Sequence, residues 1–127
     1  MDWNFRNDLP IYSQLVEQIK LGIVSGIFAP GERLASVRDM AMEAGVNPNT
    51  MQRALQELER DGLVYSQRTS GRFVTEDETV IDNAKKTLAT EQVKTFLSAM
   101  EKLGYDRAAI IAMLEEEKKE EKNNADT

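Results

Sequence analysis

The sequence predicts a mainly α fold with a small β-hairpin wing: a winged helix-turn-helix domain followed by a C-terminal two-helix dimerisation tail. Three observations carry that expectation. Two helical stripes are interrupted at Ala44-Gly45 and resume at Asn47-Pro48. Two short β-prone runs, 63–67 and 72–74, flank the polar turn Arg68-Thr69-Ser70-Gly71. A long amphipathic stripe then occupies 80–103, and a second begins near Ile110. The domains are read as 1–75 for the winged unit and 76–127 for the tail, with the charged run 115–127 expected to fray.

Residues 1–9 read as an extended arm with two large aromatics, Trp3 and Phe5. Pro10 opens the first helix, where a missing N–H costs little. Leu15, Ile19 and Ile23 follow at helical spacing, with Tyr12 and Val16 beside them. Ser25-Gly26 ends that helix, Phe28-Ala29-Pro30-Gly31 reads as a turn, and Arg33-Leu34 as a very short strand. Ser36 is placed to cap the second helix, with Asp39 three residues on. Val37, Met40 and Ala41 form its apolar stripe, and Gly45 stops it. Asn47 as cap and Pro48 at the first helical position start the third helix, whose apolar face is Met51, Ala54, Leu55 and Leu58. Two helices joined by about three residues around a glycine describe a helix-turn-helix. The hairpin after Gly62 is the wing.

In the tail, Val80, Ile81, Ala84, Leu88, Val93, Phe96, Leu97, Met100 and Leu103 make one stripe, which Gly104 ends. A helix of about 25 residues reaches roughly 37 Å. Asp106 is placed to cap a last helix with Ile110, Ile111 and Leu114 on one face. Two amphipathic helices cannot enclose a sizeable core of their own, so their apolar faces need a partner. Leu88, Val93, Phe96, Leu97, Met100, Leu103, Ile110, Ile111 and Leu114 are therefore assigned to a homodimer interface, a C₂ dimer being the commonest arrangement. The alternative is that both stripes fold back on the winged unit of the same chain.

The chain contains neither cysteine nor histidine. That removes disulfide frameworks, thiolate nucleophiles and the commonest zinc ligands. No cofactor or metal is expected, and no enzyme, because the carboxylates and lysines lie on solvated helix faces without a pocket pattern. No apolar run approaches the ~18 residues of a membrane span. The start, Met1-Asp2-Trp3-Asn4-Phe5, lacks the basic-then-apolar order of a signal peptide. A cytoplasmic protein without membrane association is expected.

A net charge of −6 runs against nucleic-acid binding until its distribution is considered. Residues 1–75 carry eight basic and nine acidic groups; residues 76–127 carry eight basic and thirteen acidic. Seven of the first eight bases are arginine, and seven of the second eight are lysine. Arginine suits bidentate phosphate and guanine contacts, whereas lysine among glutamates is ordinary solvated helix. The acidity thus belongs mostly to the tail.

The outward face of the third helix carries Asn49, Gln52, Arg53 and Gln56. Asparagine and glutamine pair bidentately with adenine, and arginine with guanine, in the major groove. The Asn49 and Thr50 backbone N–H groups, in the first turn, suit a phosphate. Singly, each residue is equally well solvated surface, and Arg53 is spaced to pair with Glu57. Together they assign Asn49, Thr50, Gln52 and Arg53 to contact with double-stranded DNA. Arg38, in the first turn of the preceding helix, is assigned to a phosphate, against a surface salt bridge. Arg68 and Arg72 flank the wing tip and are assigned to the DNA backbone or an adjacent minor groove, against a plain solvated hairpin. A winged helix that binds protein through the same face is the rival reading, and the fork-shaped groups argue against it. An architectural binder would be strongly basic overall.

Pro30-Gly31-Glu32-Arg33-Leu34, Ser36-Val37-Arg38-Asp39-Met40-Ala41, Gly45-Val46-Asn47-Pro48-Asn49-Thr50, Ala54-Leu55, Leu58-Glu59, Gly62-Leu63-Val64 and Gly71-Arg72-Phe73-Val74 closely resemble the GntR family of bacterial regulators. Pro10-Ile11-Tyr12 with Gln14, and Asn47-Pro48-Asn49-Thr50 with Gln52-Arg53, resemble its YtrA-type subfamily. The resemblance covers about residues 10–75. It implies a winged-helix domain, operator binding as a dimer, usually repression, and a short tail serving dimerisation. It also implies DNA contact at Arg38, Asn49, Thr50, Gln52, Arg53 and Gly71. Two positions depart from the pattern: Ala35 stands where the family usually has proline, and Thr69 where it often has glycine. An inverted-repeat operator and a homodimer are expected, and a small-molecule effector of unspecified chemistry is left open.

Overall fold

A computed structural model describes residues 1–125, with side chains through Glu121. The elements run α1 (Ile11–Val24), α2 (Val37–Ala44), α3 (Pro48–Arg60), β1 (Val64–Gln67), β2 (Gly71–Val74), α4 (Glu78–Lys102) and α5 (Arg107–Ala125). They fall into two compact units, Met1–Lys86 and Thr87–Thr127.

Each helix start in the first unit has a local cause. The Ser36 hydroxyl accepts from the Asp39 N–H at 3.1 Å, satisfying a donor that helix geometry leaves unpaired. The Asn47 side chain does the same for the Asn49 N–H at 2.8 Å, and Pro48 follows at the first helical position. Between α2 and α3 the chain turns through Gly45, whose φ of +71° a side chain would disfavour. That glycine keeps the helix-turn-helix connection short.

The buried face of α3 is Met51, Ala54, Leu55 and Leu58, all at most 1 % exposed. It packs against Leu15, Ile19 and Ile23 of α1 and Met40 and Ala41 of α2, and Leu63, Val64 and Val74 close the cluster from the hairpin. Burying a Leu, Ile, Val or Met side chain contributes about 1.5–3 kcal/mol each, so the core fixes α3 firmly. The opposite face of α3 is thereby left outward.

β1 and β2 pair antiparallel with Val64 opposite Val74, Tyr65 opposite Phe73, Ser66 opposite Arg72 and Gln67 opposite Gly71. The very short strand expected at Arg33-Leu34 is a single bridge, Arg33 to Phe73, with the Leu34 N–H donating to the Arg72 carbonyl. It ties the segment before α2 to the wing.

The N-terminal arm is fastened more specifically than an extended segment need be. Buried Gln14 accepts from the Arg6 N–H at 2.7 Å and donates to the Arg6 and Leu9 carbonyls at 2.8 and 3.0 Å. Gln18, one turn on, brackets Asn4 in the same way, accepting from its N–H and donating to its carbonyl at 2.7 Å. Trp3 and Phe5 stack with centroids 6.2 Å apart and pack on the core.

The first unit extends past residue 75, where composition placed the boundary. Val80, Ile81 and Ala84, on the first turns of α4, pack against the same cluster. The first part of the apolar stripe of α4 therefore completes the winged core.

In the second unit, Asp106 caps α5 by accepting from the Ala109 N–H at 2.8 Å. α5 continues to Ala125, beyond position 115 where fraying is expected. Glu115 and Glu116 precede Lys118 and Lys119 at spacings of three and four, the orientation that supports an exposed helix. The last two residues of that run lie outside the described residues. Among the described residues from 87 onward, only Ile110 is buried, at 2 % exposure. Val93, Phe96, Leu103, Ile111 and Leu114 are 43–72 % exposed.

Candidate nucleic-acid interface

The outward face of α3 brings Asn49, Gln52, Arg53 and Gln56 together, as their spacing requires, with Asn49, Arg53 and Gln56 exposed and Gln52 half-buried. Arg53 does not pair with Glu57. Glu57 instead takes Arg60 at 2.5 Å, and the Arg53 guanidinium lies 4.7 Å from the centroid of the Tyr12 ring. A cation over an aromatic face is attracted by the ring quadrupole, worth about 0.5–1 kcal/mol at an exposed site. Among the described residues the Arg53 guanidinium thus lies over Tyr12 with its N–H groups taking no hydrogen-bond partner.

Of the two backbone donors expected at the start of α3, the Asn49 N–H is committed to Asn47. The Thr50 N–H takes no partner of this kind among the described residues. Arg38 is exposed on the first turn of α2 and forms no ion pair among the described residues. Its salt-bridge alternative is therefore not what the structure contains.

The wing meets the N-terminal end of α2 across a groove of about 470 Å³, lined by Arg33, Ser36, Arg68, Gly71 and Arg72 among others. Arg68 is exposed at the wing tip, without an ion pair among the described residues. Gly71 has φ +107°, and a Cβ there would lie 3.2 Å from the Arg33 Nε. Arg33 is thus a further exposed cation lining the groove, which the sequence reading placed in a short strand and a family-like stretch without a role at the site. The bridge to Phe73 sets Arg33 against the wing, a pairing of distant segments that no local sequence pattern signals.

Arg72, assigned with Arg68 to the DNA backbone or an adjacent minor groove, is engaged within the chain. Its guanidinium turns back onto α3, donating from Nε to Glu59 Oε1 at 2.7 Å and from Nη1 to Gln52 Oε1 at 3.1 Å. The Ser66 hydroxyl, opposite Arg72 in the hairpin register, donates to the same Glu59 oxygen. The cause is simple: Glu59 is the carboxylate within reach, and a fork of donors can satisfy it and a neighbouring carboxamide at once. Arg72 is only 18 % exposed by side chain, so Arg68, and not Arg72, is the wing cation open to solvent.

The Ser66 hydroxyl holds the Glu59 carboxyl below the usual carboxylate range; burial opposes this, and the Arg72 hydrogen bond and charge add to it. A lowered carboxyl stabilises the fold fully at neutral pH and loses that contribution as pH falls through its lowered value. Denaturant titrations at a series of pH values should therefore show Glu59→Gln less stable than the parent near pH 7, with the gap closing in acid. A pH-independent gap would mean that the carboxylate charge is not what joins the wing to α3.

A three-helix core, a two-stranded wing and an outward helix face of hydrogen-bonding side chains define a winged helix-turn-helix of the DNA-binding class. Residues 11–74 match the family model described as bacterial regulatory proteins, gntR family, and the chain belongs to that family of transcriptional regulators. It is 38 % identical over 111 residues to the HTH-type transcriptional regulator YhcF of Bacillus subtilis, covering 87 % of this chain and 92 % of that one. It is 38 % identical over 93 residues to the HTH-type transcriptional repressor YtrA of the same organism, covering 72 % of each. Among solved structures, a GntR family transcriptional regulator from Listeria monocytogenes superposes with a TM-score of 0.81 at 38 % identity, over 88 % of this chain and 98 % of that one. The DNA-binding domain of AraR in complex with operator ORX1 superposes with a TM-score of 0.53 at 28 % identity, over 59 % of this chain and 96 % of that one.

Proposed function

We propose that this regulator is a repressor that binds an inverted-repeat operator as a homodimer, acting in the cytoplasm. The observation that carries the DNA reading is Arg53, over Tyr12 and without an ion pair among the described residues, beside Asn49 and Gln52 on the outward face of α3. In this reading Arg53, Gln52 and Asn49 meet base edges. Thr50, Arg38 and Arg68 meet phosphates, joined by Arg33, and Gly71 lets the backbone of the wing come close. The repressor YtrA and the operator complex of AraR support the direction of regulation and the kind of partner. Among the described residues no helix is long and apolar enough to cross a membrane.

The homodimer rests on the second unit. Its stripe of Val93, Phe96 and Leu103, with Ile111 and Leu114 on α5, is exposed, and Leu88, Leu97 and Met100 are only half covered. A second copy, bringing the same surface about a two-fold axis, buries it. Ile110, also assigned to that interface, is already buried within its own chain.

Two substitutions separate reading from positioning. On a duplex recovered by selection, Arg53→Ala should weaken specific binding by about 1–3 kcal/mol and relax preference at one position. Arg38→Ala should weaken binding to all sequences alike and reduce the salt slope by about one unit. Unchanged operator affinity in Arg53→Ala would remove α3 from the interface.

A further inference from the structure

We propose that Arg72 sets what Gln52 reads: it turns the carboxamide so that Gln52 meets the major groove as a hydrogen-bond donor and selects guanine or thymine over adenine. This rests on the reading of α3 as the helix that faces DNA.

The orientation follows from chemistry alone. Arginine has donors and no acceptor, so the Gln52 atom 3.1 Å from Arg72 Nη1 has to be Oε1 and not the amide nitrogen. The guanidinium cannot easily turn away, because its Nε is held by Glu59 at 2.7 Å and Glu59 is held in turn by Ser66. A rigid fork thus spans from the wing to the carboxamide, and a flexible lysine could not hold both partners in that geometry. The Gln52 NH₂ group has no acceptor within the chain among the described residues, and it is the free end.

That orientation changes the code. Glutamine reads adenine by giving a hydrogen to N7 and accepting one from N6, which requires both ends of the carboxamide at one base edge. Here Arg72 takes one of the two lone pairs of the oxygen and draws that end toward the wing, so the two N–H donors are the end left free to meet a base. Guanine offers N7 and O6 as a pair of acceptors, and thymine offers O4. A wing residue twenty positions along the chain therefore determines specificity without touching the base, whereas the sequence reading placed Arg72 itself on the DNA backbone or in an adjacent minor groove.

The test is selection from a randomised duplex pool at one salt concentration, using the full chain, Gln52→Ala, Arg72→Ala and Arg72→Lys. Gln52→Ala identifies the position that Gln52 reads, as the one whose preference flattens. At that position the parent should select guanine or thymine. Arg72→Ala should move the preference toward adenine by about tenfold, the discrimination a good bidentate pair supplies. Arg72→Lys should do the same, because it keeps the charge and loses the fork. A base preference is a ratio within one protein, so partial unfolding of a variant does not imitate it.

Selection of adenine by the parent would overturn the proposal. So would an Arg72→Ala protein that binds all sequences more weakly with its preference intact, or an Arg72→Lys protein that behaves as the parent. Those results make Arg72 a charge or a strut. If the parent selected no sequence at all, the reading of α3 would fail first, and this inference with it.

Discussion

Phe96→Asp, or Leu97→Asp, in the full chain should sediment as a monomer and bind its operator about 10²–10⁴-fold more weakly. The two halves of that expectation have separate origins. Phe96 is 43 % exposed on α4 and Leu97 is half covered, so in a single copy a carboxylate is tolerated at either. In a dimer the same carboxylate is buried without a partner, and an uncompensated buried charge costs about 3–5 kcal/mol. Loss of the dimer then removes the linkage between two DNA-binding units, which raises avidity by about 10²–10⁴ without any new contact. The matching control is a fragment ending at Lys86. It retains Val80, Ile81 and Ala84 on the core and should fold, whereas one ending at Thr75 uncovers that surface. A fragment ending at Lys86 that still dimerised in analytical ultracentrifugation would place the interface in the winged unit.

What the sequence made legible divides along a physical line. Local chemistry was readable: Ser36 and Asn47 cap the helices they precede, and Gly45 turns with positive φ. The apolar period was readable too, because Met51, Ala54, Leu55 and Leu58 could face only one way. The side-chain partners of the candidate site were not. Whether Arg53 pairs with Glu57 or stacks on Tyr12 depends on how α1 packs on α3, a contact made across some forty residues. Arg72 reads as a wing-tip cation until the hairpin register sets it beside Ser66 and within reach of Glu59. Gln14 carried a family signature without a mechanism, and its carboxamide proves to pin the N-terminal arm. The stripe of α4 looks uniform in sequence, and only packing divides Val80, Ile81 and Ala84, used within the winged core, from Val93, Phe96 and Leu103, left exposed.

Inserting about 5 bp between the half-sites of the selected operator should abolish tight binding. A two-fold dimer presents two equivalent α3 helices, so the sequences they read are inverted repeats of each other. Each α3 enters a major groove on one side of the duplex, and the centres of the half-sites should lie about one helical turn, roughly 10 bp, apart or somewhat less. Half a turn of added DNA rotates one half-site to the far side. The dimer then engages only one at a time, and affinity falls to that of a single half-site, about 10²–10⁴-fold weaker. Twisting or bending the duplex to restore the alignment carries its own energetic cost, on the order of 1–6 kcal/mol for bends of 40–90°. Inserting a whole turn of about 10 bp returns the facing and should recover part of the affinity, to the extent that the linkage reaches. The Phe96→Asp monomer should be indifferent to both insertions, because it never engages two half-sites together. A footprint over one asymmetric site, or unchanged affinity after the half-turn insertion, would mean that one chain binds alone and that the exposed stripe of α4 and α5 serves some other contact.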